Sequence, residues 1–345
     1  MKILVYDDNP DFGGHQAMAC HGIEALAADP CLEIVFMFNP ANHKLADRLS
    51  GAGIPTCPAP RRFGAPQLQA LAPDLVLCIQ GDIAQSTKGI RAARKAGIEC
   101  VSYIAIPHRM ADMGAKLGAL RDRINQRLLN QPDRYIAISE SMKQLLIERG
   151  ATKPIAIVPN GIPAPPASSH IPPPTSHMTL GLIGRIEFNQ KQQDFMVRTF
   201  IDHPDVFGDC RLLIAGNGPD EEKLRRLIAN KENISFLPWQ EDVEAFYEQI
   251  DFLLLPSRYE GVPLVMLEAL ARGIPVLGSA RDGMRDILPE AWTFEPENAQ
   301  SLAKTFSRVR ESWQSEIDAL RQKIIAEHSL EKFKAGFRNA VCSSL

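Results

Sequence analysis

The sequence has no long apolar run and no paired-cysteine motif, and each absence excludes a class of protein. No uncharged apolar stretch approaches the roughly 18 residues that span a bilayer, so no transmembrane helix is expected. The seven cysteines are scattered and never form CxxC, which argues against a zinc site or disulfide framework and predicts reduced thiols in a cytoplasmic protein. The start, MKILVYDD, is typical of a strand that meets acidic residues and not of a signal peptide.

Strong net charge is also lacking. The 345 residues carry a formal net charge of −3, with a weakly basic N-terminal half and an acidic C-terminal half. Because general nucleic-acid binding usually needs a strongly basic domain, no nucleic-acid partner is expected. The proportions of 45% apolar and 23% charged residues are ordinary for a globular protein. A chain of this length suits two domains better than one core.

Short apolar strands alternate with helical patterns along the whole chain. Strands are predicted at 2–6, 32–38, 75–79, 99–106, 135–139, 155–159, 178–184, 211–219, 234–238 and 275–279. Such alternation predicts parallel sheets with helices on both faces. The predicted fold class is therefore α/β, with doubly wound, Rossmann-like sheets.

A proline-rich segment at 163–176 interrupts this alternation. No buried strand or helix interior tolerates prolines at this density, so we interpret the segment as an exposed, semi-rigid linker. It separates a predicted N-terminal domain, 1–162, from a predicted C-terminal domain, 177–325. A C-terminal helix is predicted at 326–345.

Residues 113–130 form an amphipathic pattern with a basic border. One helical face would carry Met113, Leu117, Leu120, Ile124 and Leu128. Basic side chains flank that face: Lys116, Arg121, Arg123 and Arg127. Packing of the apolar face on the sheet is the favoured interpretation. Peripheral contact with an anionic membrane surface is the second hypothesis.

The stretch 251–271 combines a strand, a tight polar elbow and a helix. Glu260 lies on the elbow and Glu268 on the helix. An ionised carboxylate accepts hydrogen bonds only, which suits it to the paired hydroxyls of a sugar or a ribose. The backbone N–H groups of Gly261 and Val262, near the start of the helix, suit a phosphate. This corner therefore predicts a nucleotide-sugar site.

Further polar and glycine positions follow predicted strands, where doubly wound sheets bind ligands. Gly13 and Gly14 come after the first strand, and His108 follows the strand at 99–106. Arg185 and Lys191 follow the strand at 178–184, where two cations would stabilise a departing diphosphate. No metal-ligand motif is found, so the sequence predicts metal-independent departure and no cofactor.

Several motifs together resemble one enzyme family. They are GGH at 13–15, GR at 184–185, KQQD at 191–194, AGNGP at 215–219 and SRYEGVPLVMLEALARGIPVLGS at 257–279. The set resembles the retaining GT-B glycosyltransferases of the family 4, or glycosyl transferases group 1, type, and the last motif fits the Glu-x7-Glu signature. The resemblance implies two Rossmann-like domains facing across a cleft. It also implies that the C-terminal helix packs back on the N-terminal domain.

The resemblance implies a role for each candidate residue. The catalytic set would be His108 near the reacting sugar carbon, Arg185 and Lys191 at the diphosphate, and Glu260 at the donor sugar hydroxyls. The donor-binding set would be Gly13, Gly14, Trp239, Gly261, Val262 and Glu268, with Glu268 at the ribose and Trp239 near the base. Two positions depart from the family pattern, because Gln192 and Asp282 stand where glycine is common.

The implied reaction moves a sugar from a nucleotide-sugar donor, a UDP- or GDP-sugar, to an acceptor hydroxyl with retention of configuration. The acceptor would be a glycan, a lipid-linked molecule or a small molecule. A GT-B nucleotide-sugar epimerase is the alternative enzyme, and a non-catalytic sugar-binding protein on the same fold is the alternative binding protein. A dinucleotide-dependent oxidoreductase is disfavoured because GxGxxG is missing.

Overall fold

The computed structural model describes residues 1–165, 178–239 and 243–343. It contains two compact units, one made of Met1–Gly161 with the C-terminal segment from Leu330, and one of Ile162–Ser329. The sequence predicts the corresponding divisions at 162 and 325. Residues 166–176 of the predicted linker lie outside the described residues.

The first unit is built on a seven-stranded sheet. Its strands are β1 (Lys2–Asp7), β2 (Glu33–Phe38), β3 (Thr56–Pro58), β4 (Leu75–Gln80), β5 (Glu99–Ile104), β6 (Arg134–Ala137) and β7 (Ile155–Ile157). They lie in the order β3-β2-β1-β4-β5-β6-β7, and each neighbouring pair is parallel. Every residue of β4 is buried, as expected for a central strand covered on both faces.

Six helices connect these strands. They are α1 (Gly14–Ala27), α2 (His43–Gly51), α3 (Ala65–Leu71), α4 (Thr87–Ala96), α5 (Gly118–Asn125) and α6 (Glu140–Glu148). Helix α1 packs with α2, and α3 packs with α4. Helix α6 follows Ser139, whose hydroxyl accepts a hydrogen bond from the N–H of Met142 as an N-cap.

The second unit repeats this plan with six strands. They are β8 (Thr179–Ile183), β9 (Arg211–Ala215), β10 (Ile234–Leu237), β11 (Phe252–Leu255), β12 (Val276–Ser279) and β13 (Thr293–Phe294). Their order is β10-β9-β8-β11-β12-β13, again with parallel neighbours. The doubly wound α/β class is confirmed. The strands β3 and β13 are short and were not predicted.

The helices of the second unit vary in length from single turns to four turns. They are α7 (Phe188–Lys191), α8 (Gln193–Asp202), α9 (Pro204–Phe207), α10 (Glu221–Ile228), α11 (Glu244–Tyr247), α12 (Leu264–Ala271), α13 (Asp282–Ile287), α14 (Ala299–Ser312) and α15 (Gln314–Glu327). Phe252 of β11 meets the rings of Phe306 and Trp313 edge-on, at 5.6 and 6.0 Å between centroids. The apolar core of this unit thus joins the sheet to α14 and the residue that follows it.

Strand order places the candidate residues of each unit. In both sheets the order reverses beside the first strand, between β1 and β4 and between β8 and β11. Ligands of doubly wound proteins bind outside the carboxyl ends of the strands at such a reversal. Gly13 follows β1, Arg185 follows β8, and the Glu260 elbow follows β11. In each unit, these residues therefore follow the carboxyl ends of strands that lie where the strand order of that sheet reverses.

The prediction of a continuous helix over 113–130 is wrong. The chain turns at Gly114 and Leu117, which have φ angles of +72° and +55°, and α5 begins only at Gly118. A Cβ on Gly118 would lie 2.5 Å from the backbone of Ala111, so the chain folds back on itself there. The prediction that the apolar face packs on the sheet is also wrong for the residues at the centre of that face. Leu117, Leu120 and Ile124 are 75%, 54% and 59% exposed, whereas Leu128 is buried.

The last helix, α16 (Leu330–Cys342), belongs to the first unit and packs on α1. Phe337 of α16 is fully buried, and its ring lies against Gly22 of α1. Arg134 of β6 donates hydrogen bonds from its Nη atoms to the carbonyl oxygens of Ala340 and Val341. Apolar contact and hydrogen bonds thus both fasten this helix.

We predict that Gly22→Ala destabilises the protein by about 1–3 kcal/mol, because a Cβ would lie 2.5 Å from the Phe337 ring. Gly336→Ala on α16 is the matched control. Its Cβ would lie no closer than 3.5 Å to Val158, and alanine favours the helix by about 0.5–1 kcal/mol. Urea unfolding of both variants measures the difference. Equal effects would contradict the close contact between α1 and α16.

Candidate functional site

Backbone and side-chain hydrogen bonds fix the elbow after β11. The Arg258 N–H donates to the Gln190 carbonyl oxygen at 2.8 Å, and Gln190 Nε2 donates to the Tyr259 carbonyl oxygen at 3.4 Å. On the other side, Ser279 Oγ at the end of β12 donates to the Ser257 carbonyl oxygen at 2.5 Å. The elbow is therefore held between the β12 end and the α7 turn.

Lys191 and Glu260 form an ion pair across this junction. Lys191 Nζ donates to Glu260 Oε2, and the two side chains are 25% and 11% exposed. A carboxylate this buried is costly without a cationic partner. The pair therefore orients both side chains at the same point, where the first strand of the unit and β11 end side by side.

Gln192 follows Lys191 in the left-handed backbone region, with φ of +56°. This conformation explains why glycine suits the position and glutamine costs roughly 1–2 kcal/mol there. The next residue offsets some of this cost, because Gln193 Nε2 donates to the Arg185 carbonyl oxygen at 2.8 Å. Arg185 itself is half exposed, with Nε 3.4 Å from Glu187 Oε2.

Asp282 is the second departure from glycine, and it also has a positive φ, +50°. Its Oδ2 accepts a hydrogen bond from the Glu260 N–H at 3.0 Å. The following glycine is required by close approach, since a Cβ on Gly283 would lie 2.3 Å from the Gly261 carbonyl oxygen and 2.5 Å from Val262 Cγ2. The start of α13 is therefore packed directly against the elbow.

Glu268 lies on α12, where it contacts Tyr247. The Tyr247 hydroxyl donates to Glu268 Oε2 at 2.7 Å, and burial is the main cause that raises the pKa of this phenol. The Arg272 guanidinium lies 4.6 Å above the Tyr247 ring and forms a bidentate ion pair with Glu244, from Nε to Oε1 and from Nη2 to Oε2. One carboxylate oxygen of Glu268 is thus held by the phenol.

Trp239 comes after β10 and is 52% exposed, so its ring is accessible. The next residues, 240–242, lie outside the described residues. Gly261 and Val262 are buried at the entrance to α12. An apolar ring at one strand end and backbone N–H groups at a helix entrance suit a base and a phosphate respectively.

In the first unit, the glycine turn forms the N-terminus of α1. The Gly13 N–H donates to Gln16 Oε1 at 2.8 Å, while Gly14 begins the helix and is exposed. Asp7, at the end of β1, is buried, and this burial raises the pKa of its carboxyl to about 7. Asp7 Oδ1 accepts a hydrogen bond from the Asn9 N–H at 2.8 Å.

His108 is 2% exposed and follows β5. Two backbone bonds continue the sheet pairing beyond the strand, from Ala105 to the Gln80 carbonyl and from Ile106 to the Gly81 carbonyl. The carbonyl oxygens of Pro107 and His108 both accept hydrogen bonds from Arg149 Nη1. The histidine therefore lies in a fixed loop and not in a freely moving one.

The structure brings Lys191, Glu260 and the Gly261–Val262 backbone together in the second unit, with Arg185 anchored through its carbonyl oxygen to α8. His108, Gly13 and Gly14 belong to the first unit. Sequence reasoning gave no role to five residues that hold these groups. They are Asp122, which accepts from the N–H groups of Met110 and Ala111, and Arg149, Tyr247, Arg272 and Asp282. Only Asp282 carried a signal, its place in the family's glycine pair, because the others act across long stretches of chain.

Two family models match the chain. The model described as Glycosyl transferases group 1 matches residues 177–312, and the model described as Glycosyltransferase Family 4 matches residues 25–164. Together they cover most of both units.

Among curated proteins, the chain is similar to lipopolysaccharide 1,6-galactosyltransferases. The protein of Escherichia coli K12 is 30% identical over 223 residues, which are 61% of this chain and 57% of that protein. The protein of Salmonella typhimurium LT2 is 26% identical over 237 residues, 64% of this chain and 60% of that protein. In each case the match spans less than two thirds of the relative's own length.

Solved structures resemble the whole chain at lower identity. The structure of Anabaena Alr3699/HepE in complex with UDP and glucose has a TM-score of 0.81 at 16% identity and covers 100% of both chains. The apo lipopolysaccharide outer core galactosyltransferase WaaB has a TM-score of 0.71 at 21% identity, also over 100% of both chains. These likenesses show the fold.

We predict that substitutions of Asp282 separate its hydrogen bond from its backbone strain. Asp282→Ala loses the acceptor for Glu260 N–H and keeps the strained φ, so it is destabilised by about 1–2 kcal/mol. Asp282→Gly loses the acceptor but relieves the strain, and stays within about 1 kcal/mol of the parent. Asp282→Asn is the control that retains an oxygen acceptor. Equal stability of the alanine and glycine variants in urea would refute this account.

Proposed function

The chain belongs to the group 1 glycosyl transferases and has the GT-B fold, and on this basis we propose that it transfers a sugar from a nucleotide-sugar donor to an acceptor hydroxyl. The observation that carries the proposal is the Lys191–Glu260 ion pair at the elbow, in the sheet region where α/β proteins bind ligands. A partly buried cation and a buried acceptor at one point are the groups that a diphosphate and a sugar hydroxyl require.

The proposed roles follow from the chemistry of each side chain. Lys191 and Arg185 bind the diphosphate and stabilise the charge that grows on it as the glycosidic bond breaks. Glu260 accepts hydrogen bonds from the donor sugar hydroxyls, and Glu268 from the ribose. The ion pair then has a second use, because a phosphate competes with Glu260 for Lys191 and releases carboxylate lone pairs for the sugar.

In the proposed reaction, configuration at the sugar carbon is retained. The leaving diphosphate takes the proton of the acceptor hydroxyl on the same face from which the donor bond breaks, so no dedicated base is needed. His108 lies near the reacting carbon in this proposal, and Gly13 and Gly14 bind the donor from the first unit. Trp239 borders the base.

We propose that this chemistry needs no metal and no cofactor, since Arg185 and Lys191 supply the positive charge. Within residues 1–165, 178–239 and 243–343, the His, Cys, Asp and Glu side chains form no group of three that could hold a metal ion. A UDP-sugar is the first donor to test, because Anabaena Alr3699/HepE was solved with UDP and with UDP-glucose. A GDP-sugar is the second. The lipopolysaccharide galactosyltransferase relatives point to a glycan or lipid-linked acceptor.

The proposed location is the cytoplasm, with peripheral association at the inner face of the membrane. All seven cysteines are unbridged. Helix α5 and the turn before it expose Leu117, Leu120 and Ile124. Arg121 and Arg123 on the same helix are also exposed. Apolar and basic side chains together suit an anionic lipid surface. No helix in the part of the chain that the structure describes has the length and apolar character to cross a bilayer.

We predict that Lys191→Met lowers kcat for sugar transfer by about 10²–10³, the usual effect of removing one group that stabilises transition-state charge. Glu260→Gln is expected to lower kcat by about 10², because the donor sugar loses its charged acceptor and is held less precisely. Transfer from UDP-[³H]glucose and UDP-[³H]galactose to a rough lipopolysaccharide acceptor is measured in the presence of EDTA. The anomeric configuration of the product, read by NMR, tests retention.

Lys223→Met is the matched control, because Lys223 forms a comparable Lys–Asp pair at the exposed surface of the same unit. Its turnover is expected to equal that of the parent. Normal turnover of the Lys191 or Glu260 variant would refute the assigned roles. Epimerised free donor in place of a transfer product would favour the epimerase, and tight UDP binding without turnover would favour the non-catalytic alternative. Loss of activity with EDTA would contradict metal independence.

We predict that the double variant Leu120→Ser, Ile124→Ser weakens binding to phosphatidylglycerol vesicles by at least about tenfold, since burial of each side chain contributes about 1.5–3 kcal/mol. Co-sedimentation at low salt measures the binding. Phe12→Ser, which removes an exposed aromatic of the same unit outside residues 113–130, is expected to bind normally. Failure of the parent protein to bind anionic vesicles would refute membrane contact through 113–130.

A further inference from the structure

Arg149 lies beneath the loop that carries His108. It is only 4% exposed, and its Nη1 donates to the carbonyl oxygens of Pro107 and His108 at 2.7 and 2.6 Å. Arg149 is the C-cap of helix α6, and strand β6 lies in the sequence between it and the loop it holds. One guanidinium nitrogen thus fixes two consecutive carbonyl groups, on the histidine and on the residue before it.

Asp122 holds the other side of the same loop. Its Oδ1 accepts from the Met110 N–H at 2.8 Å and from Arg149 Nη2 at 3.2 Å, and its Oδ2 accepts from the Ala111 N–H at 3.0 Å. Five hydrogen bonds therefore join Arg149 and Asp122 to the loop or to each other. The backbone is held before and after His108 by two side chains of opposite charge.

The loop is buried as well as hydrogen-bonded, since Pro107, His108 and Met110 all lie out of contact with solvent. A cavity of 510 Å³ borders the pair and is lined by polar side chains that include Arg109, Asp112 and Gln126. A buried ion pair lowers stability unless its hydrogen bonds are satisfied, and replacement by apolar groups is often tolerated. The position of the loop is therefore set by directional hydrogen bonds as well as by packing.

We propose that Asp122 and Arg149 are positioning residues that fix His108 for sugar transfer, and this inference rests on the proposed function. Neither side chain is assigned a contact with substrate. Arg149 and Asp122 hold the backbone of 107–111, and that backbone places the imidazole. A displacement of about 1 Å at a reacting group costs about 10² in rate, so loss of the guanidinium is expected to act on kcat.

The test is a double-mutant cycle between positions 149 and 108. Arg149→Met is expected to lower kcat about 10²-fold with the donor KM changed by less than about twofold. In a His108→Ala background the same substitution is expected to lower kcat by less than about twofold, since the group it positions has gone. Equal losses in both backgrounds would overturn the inference.

Arg134→Met is the matched control. Arg134 is also buried in the first unit, pairs with Glu99 and donates to two backbone carbonyls, but those carbonyls belong to α16. Its expected effect is lower stability with kcat unchanged. Arg149→Lys retains one charge and a single donor group, so partial recovery of kcat, to within about tenfold of the parent, is expected. A loss of kcat in Arg134→Met equal to that in Arg149→Met would contradict a specific link to His108.

A readout without turnover separates this inference from the proposed function. The eight histidines give Cε1–H signals in a ¹H–¹³C NMR spectrum, and His108→Ala assigns the signal of His108. Arg149→Met and Asp122→Asn are expected to shift that signal, and Arg134→Met to leave it unmoved. If the parent enzyme proves inactive, the proposed function is wrong, but the NMR comparison still tests whether Arg149 and Asp122 position His108. An unmoved His108 signal in Arg149→Met would overturn it.

Discussion

The ion pair between Lys191 and Glu260 is the contact on which the second unit's site depends. It joins residues 69 positions apart, one after β8 and one after β11, because the strand order makes these two strands neighbours. A backbone hydrogen bond from Arg258 to Gln190 supports the same junction. The pair is partly shielded from water, so its attraction is stronger than that of a surface pair and its loss would leave a carboxylate poorly solvated. Fold topology thus fixes the geometry of the charges.

The two departures from glycine acquire a common explanation at this junction. Gln192 and Asp282 both have left-handed backbone angles, where glycine carries no steric penalty. Asp282 gives a hydrogen bond acceptor to the Glu260 N–H in return, and the Gln192 side chain donates to the Phe188 carbonyl oxygen at 3.2 Å. Both side chains therefore act on the two segments that form the ion pair. In place of a glycine with a freer backbone, each position has a side chain whose hydrogen bond helps to fix Lys191 or Glu260.

Sequence patterns predicted the sheets better than the contacts that support the site. Strands such as β4 are apolar in all but their last residue, and this local signal fixes their type. The strand–elbow–helix order also placed Glu260 and Glu268 correctly on the elbow and on α12. The contact of Tyr247 with Glu268 spans 21 residues and depends on how α11 packs, which no local pattern encodes. The prediction of one helix over 113–130 failed because the periodicity of apolar residues does not reveal positive φ angles at Gly114 and Leu117.

Two buried arginines of the first unit show how charged side chains add to apolar packing where backbone carbonyls lie outside the sheet and helix ladders. Arg134 holds the end of α16, and Arg149 holds the His108 loop. Each guanidinium donates to two consecutive carbonyl oxygens and to one carboxylate, which its fixed fork allows and a lysine cannot reproduce. The free-energy cost of removing each guanidinium from water is offset only while all of these hydrogen bonds form. Each arginine therefore has one stable arrangement. A loop fixed in this way can border a 510 Å³ cavity and still hold its histidine in place.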